Sequence, residues 1–170
     1  MSSNRKLNQG FTIIELVVVI ALLGILSAVA LPRFINVTED AHISVVKGTA
    51  GAFDTGVRLV HSVWVTKGSP GAVLNFISLS DTRAAGDLSV NEFGWPADTR
   101  GVSLTLNSHD DCVDVWNAVL NDMAPSISTA AGEDFRALNF NGNSCRYTYQ
   151  SNTDYTIIYD SNTGEVELNL

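Results

Sequence analysis

Hydrophobic residues are distributed unevenly along the chain, and the densest run lies near the N-terminus. From Phe11 to Leu31 the only formally charged residue is Glu15, and Pro32 follows the run directly. At 1.5 Å per residue, these residues predict a helix about 31 Å long, close to the hydrocarbon thickness of a bilayer. The polar residues before it carry two charges, Arg5 and Lys6. We therefore expect a single membrane-spanning helix whose N-terminal end faces the cytoplasm.

A cleaved signal peptide explains this run poorly, because no cleavage site made of small residues follows it in a suitable context. An ordinary single-pass anchor remains an alternative, but it leaves Glu15 unexplained. A carboxylate at the centre of a spanning helix costs about 2.5–3.5 kcal/mol on insertion scales. If the chain were cut after Gly10, the new amine on Phe11 could pair with Glu15 of the same helix or of a neighbouring one.

The sequence of residues 10–16, Gly-Phe-Thr-Ile-Ile-Glu-Leu, resembles the processing motif of type IV prepilins and of the related type II secretion pseudopilins. In that family a membrane peptidase cuts after the glycine and methylates the new N-terminal phenylalanine. The resemblance therefore implies that Gly10 ends a leader peptide, 1–10, and that Phe11 becomes the methylated N-terminus. It also implies that Glu15 is the carboxylate that recruits and registers subunits during assembly.

The same resemblance implies a set of partners and two locations. The partners are other pilin subunits, the prepilin peptidase and the pilus assembly machinery of the inner membrane. The subunit would sit in the inner membrane as a single-pass protein before assembly, and in an extracellular pilus afterwards. In this scheme 11–31 forms the membrane-spanning helix that later becomes part of the filament core.

Helical periodicity resumes after Pro32 and continues to about Lys67, so 32–67 is predicted to be an amphipathic continuation of the first helix. One apolar stripe contains Val37, Val45, Thr49 and Ala52, and a second stripe beside it contains Val46, Phe53, Val57 and Val60. Three glycines, Gly48, Gly51 and Gly56, suit either a packed filament core or tight packing on the protein's own sheet.

A helix break is expected between Gly24 and Pro32, because proline removes one helical hydrogen bond. Type IV pilus filaments have a locally unwound helix in about this region, and the resemblance implies the same here. In an isolated subunit we expect a continuous or gently kinked helix.

The remaining segment, 68–170, is predicted to form a globular head. Residues 110–120 indicate a short helix capped by Ser108 or Asp110. Strands are expected near 101–106 and 135–140, at 147–149, and in a C-terminal hairpin whose turn is 160–164. Val166, Leu168 and Leu170 should face the long helix. The fold class is therefore α+β, and the resemblance implies the type IV pilin fold, in which a long N-terminal helix packs on a C-terminal antiparallel sheet.

The chain has two cysteines, Cys112 and Cys145, and both lie beyond the apolar run. In an oxidising periplasm they should form a disulfide. The region that this bond would enclose, 112–145, is similar to the disulfide-bounded region near the C-terminus of many type IV pilins. A catalytic thiol is the alternative, but no neighbouring motif supports it.

Composition and motifs point away from other functions. The formal net charge is −8, and such an acidic chain with scattered bases argues against nucleic-acid binding. No phosphate-binding loop, nucleophile elbow or zinc pattern is present, so we expect neither an enzyme nor a cofactor. Asp110, Asp111 and Asp114 could hold calcium, but they lack the ligand spacing of a calcium loop, so we expect no metal site.

Two function classes fit the motif. The first is a structural pilus subunit, major or minor, that serves surface attachment. Two segments, 31–36 and 94–97, resemble pilins of the mannose-sensitive haemagglutinin (MSHA) type. Residues 31–38 and the Val63-Trp64 end of the long helix resemble the minor pilins of that type. The second is a type II secretion pseudopilin, which the disulfide-bounded region and the missing calcium loop make the weaker choice. A monomeric membrane-anchored binding protein is a third possibility.

Overall fold

A computed structural model describes residues 11–79, 86–121 and 124–170, and for 31–36 it describes the backbone alone. The chain divides into two compact units, Met1–Ala41 and His42–Leu170. Helix α1, Ile13–Thr66, supplies residues to both units. In the first unit, every side chain that the structure describes is solvent-exposed.

The second unit is α+β, as predicted from the sequence. After α1 it contains a three-stranded sheet, a short helix and a five-stranded sheet. The three strands are β1 (Val73–Ile77), β2 (Leu88–Val90) and β3 (Pro96–Asp98), the helix is α2 (His109–Leu120), and the five strands are β4 (Ile127–Ser128), β5 (Phe135–Phe140), β6 (Ser144–Tyr149), β7 (Thr156–Asp160) and β8 (Glu165–Asn169).

Each sheet follows the order of its strands in the sequence. All pairs are antiparallel except the short pair of β4 with β5, which is parallel. The predicted strand at 135–140 is confirmed, and so is the C-terminal hairpin. The three-stranded sheet as a unit was not predicted, because its strands are short and its pairing is interrupted by register shifts.

The core forms where α1 meets α2 and the five-stranded sheet. Only the second apolar stripe of α1 is buried, through Val46, Phe53, Val57 and Val60. The first stripe lies mostly at the surface, and Val45 is 48% exposed. Periodicity alone could not choose between the two stripes, because both satisfy a 3.6-residue repeat.

Phe53 lies at the centre of an aromatic cluster. Its ring is 5.3 Å from that of Tyr147 and 5.6 Å from those of Trp116 and Tyr159, with edge-on contacts to both tyrosines. The buried tyrosine hydroxyls donate hydrogen bonds, Tyr147 to the Cys112 carbonyl at 3.1 Å and Tyr159 to the Pro96 carbonyl at 2.9 Å. Burial raises the pKa of both phenols well above the ordinary value, so they remain neutral donors.

Two predictions about extended segments were wrong. Residues 101–106 form no strand, because the Asp98 carboxylate accepts hydrogen bonds from the backbone N–H groups of Val102 and Ser103. Those donors are therefore not available to a sheet. In the hairpin, Val166 and Leu168 pack against the core, but Leu170 lies beyond the last pairing and is 50% exposed.

The three helix glycines face different surroundings. A Cβ on Gly56 would lie 2.5 Å from Cγ1 of Val119 and 2.9 Å from its carbonyl oxygen, so α1 and α2 approach closely there. A Cβ on Gly48 or Gly51 would meet nothing within 4 Å. Tight packing within the head therefore explains Gly56, whereas it does not explain Gly48 or Gly51.

Candidate functional site

The start of α1 is closed by a reciprocal pair of hydrogen bonds between Thr12 and Glu15. The Thr12 backbone N–H donates to Oε2 of Glu15 at 2.9 Å, and the Thr12 hydroxyl donates to the same oxygen at 2.7 Å. The Glu15 N–H in turn lies 3.3 Å from the Thr12 hydroxyl oxygen. This is a capping box, which satisfies backbone donors at the helix N-terminus.

The capping box was missed in the sequence analysis, although Thr-x-x-Glu is its usual signature. It gives Glu15 a local role, because a carboxylate in the first turn also interacts favourably with the helix dipole. Both Thr12 bonds end on Oε2, so Oε1 has no donor among the residues that the structure describes. The predicted leader, 1–10, with Gly10 at the processing site, lies outside the described residues.

The helix that follows is long and apolar enough to cross a membrane. The segment Ile13–Ala30 has a mean hydropathy of 2.8 and none of it is buried within the protein. Phe11, just before it, is 77% exposed. The helix runs from Ile13 to Thr66 without interruption, so Gly24 and the backbone of Pro32 are both helical.

These residues coincide with a known motif. Residues 5–31 match the family model described as the prokaryotic N-terminal methylation motif. The chain carries that motif.

Similar proteins of known function are pilus subunits. Over 44 residues the chain is 50% identical to the type IV narrow pilus major component PilA5 of Thermus thermophilus, which is 26% of this chain and 38% of that protein. Over 54 residues it is 38% identical to the type IV major fimbrial protein FimA of Dichelobacter nodosus, 32% of this chain and 35% of the relative. Over 64 residues it is 42% identical to the type IV major pilin protein PilE of Neisseria gonorrhoeae, 35% of this chain and 38% of the relative.

The chain thus spans less than two-fifths of the length of each of these three relatives. No solved structure matches it. The match to the methylation motif covers residues 5–31.

In the second unit, the structure joins Cys112 of α2 to Cys145 of β6, with the two Cα atoms 5.6 Å apart. The disulfide expected from the sequence is therefore present. The chain between the two cysteines contains β4 and β5.

Ser108 caps α2 by accepting the Asp111 N–H at 3.1 Å, and Asp111 accepts the Ser108 N–H at 2.8 Å. Of the two predicted caps, Ser108 is the one used.

A group of buried carboxylates surrounds Arg100 beside this helix. Nε of Arg100 lies 3.0 Å from Oδ2 of Asp114 and 3.6 Å from Oδ1 of Asp98, and the guanidinium also contacts Asp111. Asp110 is more distant, at 3.9 Å, and its side chain is 70% exposed. One cation therefore faces three buried carboxylates, more than its single charge can neutralise.

The carboxylates differ in how strongly they hold a proton. Burial raises the pKa of Asp98, but hydrogen bonds from the N–H groups of Arg100, Ser103 and Val102 outweigh it, so that pKa is lowered overall. Asp114 is different: burial raises its pKa to about 6, and the nearby Asp98 and Asp111 add to the effect, while Arg100 opposes it. Asp114 is thus protonated more readily than Asp98.

This cluster corrects the triad that the sequence suggested as a candidate metal site. The carboxylates that come within 4.8 Å of one another are Asp98, Asp111 and Asp114, so Asp98 takes the place of Asp110. Asp98 could not be assigned from spacing, because β3 brings it to α2 only in the folded protein. The Arg100 guanidinium supplies positive charge at this position, and backbone N–H groups bind the oxygens of Asp98 and Asp111.

Proposed function

We propose that the chain is a structural subunit of a type IV pilus. The observation that carries the proposal is the methylation motif at residues 5–31. This motif includes the whole segment Ile13–Ala30, which is long and apolar enough to span a membrane. The three pilus and fimbrial proteins described above support it. In this proposal the apolar segment anchors the subunit in the inner membrane until it enters a filament outside the cell.

Processing would occur between Gly10 and Phe11, and the prepilin peptidase would methylate the new amine of Phe11. The cut creates a positive charge next to Thr12, one turn before Glu15. Because Oε1 of Glu15 has no donor among the described residues, it can accept a hydrogen bond from the Phe11 amine of a neighbouring subunit. Thr12 meanwhile holds the carboxylate in place through Oε2.

The proposed contact explains why an acid is retained in a membrane-length helix. An ion pair between subunits inside the apolar filament core would offset the cost of burying an unpaired charge, which rises as water is excluded. Thr12 then acts as a positioning residue, because it fixes the side chain from which the contact is made.

Replacement of Glu15 tests the proposal directly in cells that lack their own copy of the protein. Glu15→Ala should be cut and methylated like the wild type, as measured by mass spectrometry of the mature N-terminus, but should form no filaments. Glu39→Ala is the matched control, because Glu39 is another exposed acid of the same helix. Normal filaments from Glu15→Ala would show that the assembly role is wrong.

Deletion distinguishes the pilus subunit from a type II secretion pseudopilin. Loss of surface filaments with normal protein secretion supports a pilus subunit. Blocked secretion with normal filaments would favour the pseudopilin. Within the pilins, we propose that the chain belongs to the MSHA type, whose pilins its sequences at 31–36 and 94–97 resemble. Its abundance in purified filaments, relative to the other subunits, would identify it as a major or a minor pilin.

We also propose that the helix unwinds locally between Gly24 and Pro32 when the subunit enters a filament. Gly24 has open space around it and a low helix propensity, and Pro32 cannot donate a backbone hydrogen bond. Hydrogen exchange on assembled filaments should show weaker protection at 24–32 than in the helix on either side. Uniform protection through this segment would contradict the unwinding.

A further inference from the structure

Several loops of the second unit border an open cavity of about 340 Å³. They are the connection from α1 to β1, the turn after β2, the segment around Thr105, and the turns that join β5 to β6 and β7 to β8. The volume falls within the range of sites that bind small ligands. All of its lining residues belong to the second unit, and the inference drawn from it does not depend on the proposed pilus function.

The walls of the cavity are fixed by Asn91, which is almost fully buried. Its Oδ1 accepts the N–H groups of Phe93 and Trp95, each at 3.0 Å, and its Nδ2 donates to the carbonyl of Ser161. Ser161 in turn donates from its hydroxyl to the carbonyl of Asn143 at 2.8 Å. Three separate loops are therefore held together by hydrogen bonds, so the cavity is preformed.

The side chains at the mouth of the cavity are not used by this network. Glu92 is exposed, and among the residues that the structure describes it is the only ionisable one that lines the cavity. Phe93 beside it is 45% exposed. The side-chain amides of Asn143 and Asn162 have no hydrogen-bond partner in the part of the chain that the structure describes. Amide oxygens, a carboxylate and an aromatic ring are thus available together.

We propose that this cavity binds an alkylammonium group, as carried by a lysine side chain or a free primary amine. Glu92 provides the counter-charge, Phe93 provides a ring for a cation–π contact, and the amide oxygens accept the ammonium N–H groups. Anionic ligands are disfavoured, because none of the described residues that line the cavity is basic and the chain carries a net charge of −8. An entirely apolar ligand would leave these polar groups without partners.

Saturation-transfer NMR on the full chain in uncharged detergent micelles tests the proposal. The probes are n-butylammonium, its neutral counterpart n-butanol, and Nα-acetyl-lysine methylamide. We expect n-butylammonium to bind with a Kd on the order of 1–10 mM and to weaken as salt is added. The blocked lysine distinguishes the two sources of the group: tighter binding than n-butylammonium indicates a lysine in a partner protein, and equal binding indicates a free amine.

The variants separate the cavity from general attraction to an acidic protein. Glu92→Gln should weaken n-butylammonium binding about fivefold, and Phe93→Leu about two- to fivefold. Glu165→Gln removes the same charge from an exposed strand position outside the cavity and should change nothing. The proposal is overturned if n-butanol binds as well as n-butylammonium, if Glu92→Gln binds like the wild type, or if Glu165→Gln has an equal effect.

Discussion

Asp114 should make the stability of the second unit depend on pH in a direction opposite to that of most carboxyl groups. Its side chain is 13% exposed and its pKa is raised to about 6, mainly by burial. In the unfolded chain, an aspartate has a pKa of about 3.9. Folding therefore takes up a proton at mildly acidic pH, and the stability from that proton is lost as pH rises through about 6.

The magnitude follows from the difference between the two pKa values. At pH 5 the protonated form of Asp114 is about tenfold more populated than the ionised form in the folded state. In the unfolded state the same side chain is mostly ionised at this pH. This contributes about 1.4 kcal/mol at pH 5 and almost nothing at pH 8. The pKa of Asp98 is lowered, so Asp98 stays ionised from pH 5 to pH 8. Its opposite effect on the free energy of unfolding therefore falls below this pH range.

Replacement of Asp114 by asparagine keeps the shape of the side chain and removes the titration. Urea unfolding of the full chain in uncharged micelles, followed by tryptophan fluorescence, gives the free energy of unfolding at each pH. The wild type should lose about 1.4 kcal/mol relative to Asp114→Asn between pH 5 and pH 8. Asp110→Asn is the control, since its exposed side chain touches Arg100 only at 3.9 Å, and its curve should run parallel to the wild type.

Parallel curves for the wild type and Asp114→Asn from pH 5 to pH 8 would refute the reasoning. Such a result would mean that Arg100 outweighs burial and keeps Asp114 ionised in the folded protein. A difference of the opposite sign would also refute it, because it would require the pKa of Asp114 to lie below its unfolded value.

Three further predictions concern packing and the disulfide. Gly56→Ala should lower the free energy of unfolding, because the new Cβ meets Val119. Gly51→Ala places its Cβ in open space and should raise the free energy of unfolding by about 0.5–1 kcal/mol through helix propensity. Equal effects of the two substitutions in urea unfolding would contradict this contrast. The double replacement of Cys112 and Cys145 by alanine should lower the free energy of unfolding by about 3–4 kcal/mol, since the disulfide closes a loop with a sequence separation of 33. A thermal unfolding temperature equal to that of the oxidised wild type would contradict this prediction. Phe53→Ala should cost about 3–5 kcal/mol, because it opens a cavity at the centre of the aromatic cluster, and an unchanged urea midpoint would show that the core does not depend on this ring.

Much of the architecture could be predicted from local patterns. The membrane-length helix follows from an apolar run with a single acid, and α2 and the C-terminal hairpin follow from capping and turn residues. These elements depend on interactions between residues close in sequence, so a short window contains the necessary information. The capping box of Thr12 and Glu15 belongs to the same group, and its signature was available in the sequence.

The remaining features depend on contacts between distant residues. Asp98 binds the N–H groups that would otherwise have formed a strand at 101–106, and it joins Asp111 and Asp114 only because β3 lies beside α2. The choice of the Val46 and Phe53 stripe over its neighbour is also tertiary, since both stripes have the same period.

The sequence by itself determined the chemistry of the N-terminus: a motif at residues 5–31, an acid near the start of an apolar helix, and two cysteines that could pair. Only the tertiary structure decided which face of α1 is buried, which of its glycines packs against α2, and which acids share Arg100. It also assembled the cavity beside Glu92 from five separate segments. A local pattern specifies an element, but burial and charge at a given side chain depend on what the rest of the chain places against it.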